Sequence, residues 1–127
     1  MSKIINFDDW LKENEIYFDP FIGEDSYMIL TFKNAMEKLD LPYKRKSVIY
    51  LQEKLDIIDD ISNNKGIVDI ITFVSIVTIA FSDDDDTLNP ILYYTQTKLN
   101  AFYMGLDKKN TFLSKLKNIF NNFKLNK

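Results

Sequence analysis

The chain has 127 residues, which is enough for one domain, and 46% of its side chains are hydrophobic and 14% aromatic. Disordered chains are poor in both kinds, so we expect a single folded domain spanning residues 1–127. The sequence contains no Cys and no His, which excludes disulfides, thiol nucleophiles and the commonest transition-metal ligand. The first residues, MSKIINFDDWLKEN, lack the apolar segment of a signal peptide, and we expect a cytoplasmic protein.

The formal net charge of −3 conceals an uneven distribution of charge along the chain. Residues 1–107 carry 10 basic and 19 acidic side chains, whereas residues 108–127 carry six Lys and no acid. Arg45 is the only Arg. Because nucleic-acid-binding surfaces depend on Arg and on a basic face, the acidic body argues against a nucleic-acid ligand and favours a basic partner.

Most segments repeat their apolar residues at the three- and four-residue spacing of an α-helix. A short first helix is expected at 6–14, followed by a loop that Pro20 interrupts. A second helix, capped by Asp25 or Ser26, runs to about Leu39.

The same spacing predicts further helices on both sides of the middle of the chain. A third helix has Pro42 in its first turn, continues its apolar face to Ile61, and stops at the sequence SNNKG. A later helix is capped by Asp86 or Thr87 and has Pro90 in its first turn.

Residues 67–81, IVDIITFVSIVTIAF, form the longest apolar run and contain one acid, Asp69. A bilayer span needs about 20 residues, so this shorter run is interpreted as a buried core element. Its β-branched residues favour a strand, whereas its length and lack of a turn favour a helix. We interpret it as a central helix, because its neighbours are helical and a single strand would have no partner. The sequence therefore predicts an all-α bundle of five to six helices.

No pattern of residues points to catalysis. Most carboxylates lie in polar segments, and no Gly-rich phosphate loop, nucleophile elbow or zinc signature is present. Asp69 is the exception, because an acid in an apolar segment is a candidate functional group. Near a helix start, however, it is better explained by hydrogen bonds to backbone N–H groups or by pairing with Lys65. We therefore expect a protein without catalytic residues or a cofactor.

The sequence FSDDDDTLNP raises the question of a metal site. Alternating oxygen-bearing side chains from Asp83 onwards are similar to the start of a calcium-binding loop. Such a loop needs Gly at its sixth position and Glu at its twelfth. Leu88 and Tyr94 occupy those positions, so no metal site is expected.

Two interpretations of the four consecutive aspartates remain. One is a solvated loop whose last Asp caps the following helix. The other is an acidic surface that attracts a basic protein and contacts it through neighbouring tyrosines, because four carboxylates exceed what one cap needs. The acidic side of the third helix extends this surface if it lies nearby. The candidate partner-binding residues are Asp83, Asp84, Asp85, Asp86, Tyr93, Tyr94, Glu53, Asp56, Asp59 and Asp60.

The C-terminal sequence FLSKLKNIFNNFKLNK is basic and amphipathic, and a last helix is expected from about residue 110. Its Phe-rich face docks on the core in the simplest interpretation. Docking on a partner or on a membrane surface is the alternative, although no stable membrane insertion is expected.

The segments SDDDDTLNPILYY and EKLDIIDDIS place acid clusters beside apolar and tyrosine residues in a small, helical, Cys-free chain. In these respects the chain resembles bacterial immunity proteins, which neutralise bacteriocin nucleases or the toxins of contact-dependent growth inhibition. The resemblance implies a non-enzymatic antitoxin that binds a basic toxin domain and blocks its active site or substrate surface. The alternative is a phage- or plasmid-encoded regulatory or structural module that self-associates, which the aromatic content favours.

Overall fold

The computed structural model describes residues 14–102, so the helix predicted from residue 110 and all but the last residue of the helix predicted at 6–14 lie outside the described residues. The described part contains four α-helices and two very short strands, and the fold is mostly helical, as expected. It differs from the predicted five- to six-helix bundle in helix count and in having a strand pair. The elements in chain order are β1 (Tyr17–Phe18), α1 (Ser26–Lys38), α2 (Arg45–Leu55), β2 (Ile67–Val68), α3 (Ile70–Ala80) and α4 (Asp85–Phe102).

Helix α1 begins and ends close to where the sequence predicts. The Asp25 carboxylate accepts a hydrogen bond from the Met28 N–H at 3.2 Å, which satisfies one of the free donors at the helix start. The buried face of α1 packs against α3, where the rings of Phe32 and Phe73 stack with centroids 6.3 Å apart. This contact lies at the centre of the hydrophobic core.

Helix α2 is shorter than its apolar spacing predicts. The helix ends at Leu55, because Asp56 adopts the left-handed conformation with φ of 54° and closes the last turn. Ile61, the last apolar residue of the predicted helix, is 97% exposed. Pro42 lies before the helix rather than in its first turn, since Lys44 is the N-cap residue. The prediction of a helix to Ile61 is therefore wrong.

Helix α3 confirms the interpretation of the central apolar run as a helix. Nine of its 11 residues are buried, and Asp69 caps its start. The two residues before Asp69 are nevertheless a strand, which pairs in parallel with β1 in the register Tyr17↔Ile67 and Phe18↔Val68. The expectation that a strand here would lack a partner is thus wrong. Its partner lies in a segment interpreted as a loop, and two-residue strands are too short to show alternation.

Helix α4 begins earlier than predicted, at Asp85, because Asp84 rather than Asp86 or Thr87 provides the cap. Pro90 is consequently the sixth residue of the helix instead of part of its first turn. Proline has no N–H, so the carbonyl of Asp86 receives no helical hydrogen bond from it. The buried side of α4 consists of Leu88, Ile91, Thr95 and Leu99.

Helices α1 and α4 run antiparallel to each other. At the start of α1, Asp25 forms an ion pair with Lys98 near the end of α4, with 2.8 Å between Nζ and Oδ2. At the other end, hydrogen bonds from Thr87 lower the pKa of Asp84 in the turn before α4, and the nearby charge of Lys38 adds to this effect. The two helices therefore lie side by side, with the aspartates near the end of α1.

One buried amide connects α2 to the loop, strand and helix that follow it. The Gln52 side chain is fully buried, and its Oε1 accepts the Gly66 N–H at 2.8 Å. Its Nε2 lies 3.0 Å from the Asn64 carbonyl, 3.1 Å from the Ile67 carbonyl and 3.0 Å from the Thr72 hydroxyl. This amide fixes the loop between α2 and β2 against the start of α3.

Candidate functional site

The four aspartates form the turn before α4 and the first residues of that helix. Asp84 accepts the Thr87 N–H at 3.2 Å and the Thr87 hydroxyl at 2.6 Å, and these hydrogen bonds lower its pKa. Asp85 and Asp86 lie in the first turn, where the helix dipole stabilises negative charge. The side chains of Asp83, Asp85 and Asp86 are exposed. The two interpretations of the aspartates are thus compatible, because capping the helix uses Asp84 and leaves the other three carboxylates exposed to solvent.

The structure separates the two candidate tyrosines. Tyr93 is 75% exposed and lies seven residues after Asp86. Seven residues are about two turns, so both side chains lie on the same outward side of α4, about 10 Å apart along the axis. A partner that pairs with Asp86 can therefore contact Tyr93 as well.

Tyr94 instead takes part in the packing of α4 beside α1. Its ring contacts that of Tyr27, with centroids 4.5 Å apart, and its hydroxyl donates to the Asp25 carboxylate at 2.7 Å. This hydrogen bond raises the pKa of Tyr94. Burial alone would raise the pKa of Asp25, but the hydrogen bonds from Lys98 and Tyr94 lower it. Tyr94 remains 38% exposed, so its ring still contributes to the surface.

The second acidic cluster lies at the other end of α3. Asn64 connects Asp59 to Asp69 at the start of α3, since it accepts the Asp59 N–H at 2.7 Å and donates to the Asp69 carboxylate at 3.1 Å. The aspartate turn follows the end of the same helix, whose 11 residues span about 16 Å. The structure therefore does not place the two clusters side by side. The cluster comprises the exposed residues Glu53, Asp56, Asp59 and Asp60.

Asp69 has the structural role preferred from the sequence. Its Oδ1 accepts the Thr72 N–H at 2.9 Å and its Oδ2 accepts the Asn64 amide, so both oxygens have donors. Asp69 lines a cleft of about 600 Å³ together with Asp19, at the carboxyl ends of the paired strands. Burial, together with the charge of Asp69, raises the pKa of Asp19, whose Oδ1 accepts the Ile22 N–H at 3.1 Å. Each of these carboxylates thus holds a local backbone turn.

Arg45 and Tyr17 also line this cleft. The Arg45 guanidinium lies over the Tyr17 ring, 5.9 Å from its centroid, and reaches the Lys65 carbonyl at 3.4 Å. Gly66 permits this approach, because a Cβ at that position would collide with the guanidinium. Arg45, Gln52 and Asn64 were not candidates from the sequence. Only one feature of the sequence indicated that Gln52 is buried, namely that its amide follows Leu51 on the apolar side of a predicted helix.

The structure gives a second reason against a calcium loop at the aspartates. From Asp85 onwards the segment is helical, and Leu88 is buried, so residues 83–94 cannot wrap around an ion. Among residues 14–102, no group of three or more acidic side chains is arranged to hold a metal ion. Within the same range, no helix is both long and apolar enough to cross a bilayer.

Comparison with known proteins gives no match for this chain: no protein-family model, no curated protein and no solved structure is significantly similar to it.

Proposed function

We propose that this chain is a non-enzymatic inhibitor that binds a basic toxin domain, such as a nuclease, and occludes its active site or substrate surface. One observation carries the proposal: three exposed carboxylates lie at the start of α4, and the exposed Tyr93 lies two turns further along, on the side of Asp86. The proposal is in line with the resemblance to bacterial immunity proteins in size, acidity and residue usage. Such an inhibitor would act in the cytoplasm.

Electrostatics would supply the first step of recognition. Adjacent aspartates create a concentrated negative potential, which raises the association rate of a basic partner by about 10- to 1,000-fold at low salt. Like charges held together also exclude acidic proteins, so the run contributes to specificity. The separate cluster of Glu53, Asp56, Asp59 and Asp60 would add to long-range attraction from the other end of α3.

Tyr93 would supply contact area in the bound complex. Tyrosine is enriched among the residues that carry most of the binding energy at interfaces, because its ring buries a large area at low entropic cost. Since Tyr93 is 75% exposed, it has this area available. The charges of the aspartates would therefore govern the association rate, whereas the Tyr93 ring would govern the lifetime of the complex.

The test begins with affinity capture from the source cell and identification of the bound protein. The purified partner domain is then assayed for toxin activity while the chain is titrated into the reaction. We expect stoichiometric inhibition, and a captured partner whose activity the chain leaves unchanged would contradict the proposal.

Neutralising variants then test the surface itself. Asp83→Asn, Asp85→Asn and Asp86→Asn together remove three charges and leave the Asp84 cap in place. The matched control removes three charges from the second cluster through Glu53→Gln, Asp56→Asn and Asp60→Asn. We expect the first variant to associate about tenfold more slowly, with a flatter salt dependence, and the control to change much less. Equal effects of the two variants would show that only net charge matters.

Self-association is the second candidate function, as expected of a regulatory or structural module. The adjacent exposed rings of Tyr27 and Tyr94 favour it, since contiguous apolar surface marks interaction sites. Light scattering over a range of concentrations distinguishes the two functions. A monomer at all concentrations would eliminate self-association and leave the inhibitor proposal intact.

A further inference from the structure

We infer that the partner presents a basic amphipathic helix that lies along α1 and α4, an inference that rests on the proposed inhibitor function. The contact surface, here called the α1–α4 face, consists of Tyr27 and Leu30 on α1 and Tyr93 and Tyr94 on α4. These four residues are exposed large hydrophobic residues of the described chain, with exposed fractions of 41%, 59%, 75% and 38%.

The apolar part of the face is held in place before any partner binds. The Tyr94 ring is fixed by its contact with Tyr27 and by its hydrogen bond to Asp25. Lys98 pairs with the same carboxylate at 2.8 Å, so Asp25 holds both groups of α4 against α1. Side chains that are already ordered lose little conformational entropy on binding, which favours affinity.

Charge is distributed along the face in one direction. The apolar contact between Tyr27 and Tyr94 lies at one end, beside the neutralised Asp25–Lys98 pair. The exposed carboxylate of Asp86 lies eight residues before Tyr94 on α4, about 12 Å along its axis and on the side of Tyr93. A matching ligand therefore carries apolar side chains at one end and Lys or Arg about 12 Å away.

A helix meets this requirement better than an extended peptide does. An extended peptide gains most of its affinity from hydrogen bonds to an unpaired strand edge. The strand pair of the described residues is two residues long and belongs to the cleft beside Arg45. Two antiparallel helices instead form a groove between them. The side chains of a third helix can pack into this groove through apolar contacts at three- and four-residue spacing. On such a helix, basic residues two turns beyond the apolar ones reach the aspartates.

A second copy of this chain fits the face less well. The turn and helix that contribute residues 83–102 carry four aspartates and one lysine. A two-fold dimer in which the two α4 helices run parallel would bring two aspartate turns together, and such like-charge contacts are costly. A partner with the opposite charge has no such cost.

The experiment titrates the isotopically labelled full chain with two synthetic helical peptides of about 18 residues, a length at which an isolated helix forms. One peptide carries its arginines at the N-terminal end and the other at the C-terminal end, which covers both orientations. A peptide of the same composition, permuted to remove its apolar face, is the control. We expect one amphipathic peptide to shift the amide signals of Tyr27, Leu30, Asp86 and Tyr93, and the permuted peptide to leave them in place.

Point variants separate the face from the rest of the surface. Leu30→Ala removes an exposed contact and should weaken peptide binding about tenfold, the effect expected for a central interface residue. Ile61→Ala, at a position 97% exposed elsewhere, should change it less than about twofold. Equal binding of the permuted peptide, shifts confined to another face, or dimerisation through the α1–α4 face would overturn the inference. If toxin inhibition depends on the aspartates but not on Leu30, the inhibitor function stands and the helix inference fails.

Discussion

Replacing Gln52 by methionine tests whether one buried amide holds the loop between α2 and β2 in place. Methionine is unbranched and similar in length, so it preserves the shape of the side chain while removing its donor and acceptor. Gln52 is fully buried, and its amide oxygen accepts the Gly66 N–H at 2.8 Å. Its Nε2 carries two hydrogens and has three acceptors within 3.1 Å, so it makes two hydrogen bonds at a time.

The expected loss follows from these three simultaneous hydrogen bonds. A buried group left without its partner costs about 1–3 kcal/mol, since it can no longer reach water. Three such losses, partly offset by the greater hydrophobicity of methionine, give about 4 kcal/mol. Domains are stabilised by only about 5–15 kcal/mol in total. Gln52→Met should therefore unfold at a much lower denaturant concentration than the unmodified chain.

Urea unfolding followed by circular dichroism measures this loss, with Gln96→Met as the matched control. Gln96 is exposed on α4, and glutamine and methionine have similar helix propensities, so the control should lie within about 0.5 kcal/mol of the unmodified chain. Hydrogen exchange should also accelerate at the Gly66 amide, whose acceptor is lost. A loss below about 1 kcal/mol for Gln52→Met would refute the reasoning, because it would mean that water or rearranged backbone satisfies these groups.

Two further predictions concern the cleft region and the turn beside it. Gly66→Ala should destabilise the fold by more than about 2 kcal/mol, because its φ of 76° strains alanine and its Cβ would meet a guanidinium. Gly23→Ala is the comparison, because Gly23 has φ of 52° but a Cβ there would make only a van der Waals contact with the Pro20 carbonyl oxygen, and it should cost about 1 kcal/mol in urea unfolding. Equal losses of stability for the two variants would contradict this explanation. Asp19→Asn should stabilise the fold at pH 7, because burial and the charge of Asp69 raise the pKa of Asp19 above 3.8 and its ionised form therefore opposes folding. The gain in stability should be complete above the raised pKa of Asp19 and should vanish below 3.8. Urea unfolding at pH 7 and at pH 3 measures this difference. An equal gain at both pH values would show that the ionised Asp19 carboxylate is not its cause.

Helix α1 could be predicted because its signals are local. One segment contains the Asp25 cap, the apolar spacing and the end of the helix, where the backbone leaves the helical conformation after Leu39. These local features agree with one another. Helix α2 shows where such signals mislead. Apolar residues continue at helical spacing after Leu55, but Asp56 turns into the left-handed region and Asn64 holds the following loop. Periodicity identified the helix correctly and misplaced its end.

The strand pair could not be predicted from local pattern, because its stability comes from residues far apart in sequence. Tyr17 pairs with Ile67 across 50 positions, and each strand has only two residues. Gln52 and Asn64 hold this region together through hydrogen bonds to backbone carbonyl groups. Nothing in their immediate sequence indicates those partners, so buried polar side chains of this kind emerge only from the folded arrangement.

The candidate site shows the same division between local and distant information. The sequence located the acidic run and predicted a cap at Asp86 or Thr87, whereas the cap is Asp84, the second aspartate of the run. It could not distinguish Tyr93 from Tyr94, which are adjacent in sequence but point about 100° apart around α4. One ring faces solvent, whereas the other is fixed beside α1 by Tyr27 and Asp25. Because Tyr94 joins α4 to Tyr27 and Asp25 at α1, the proposed partner surface spans two helices that the sequence alone treats as separate.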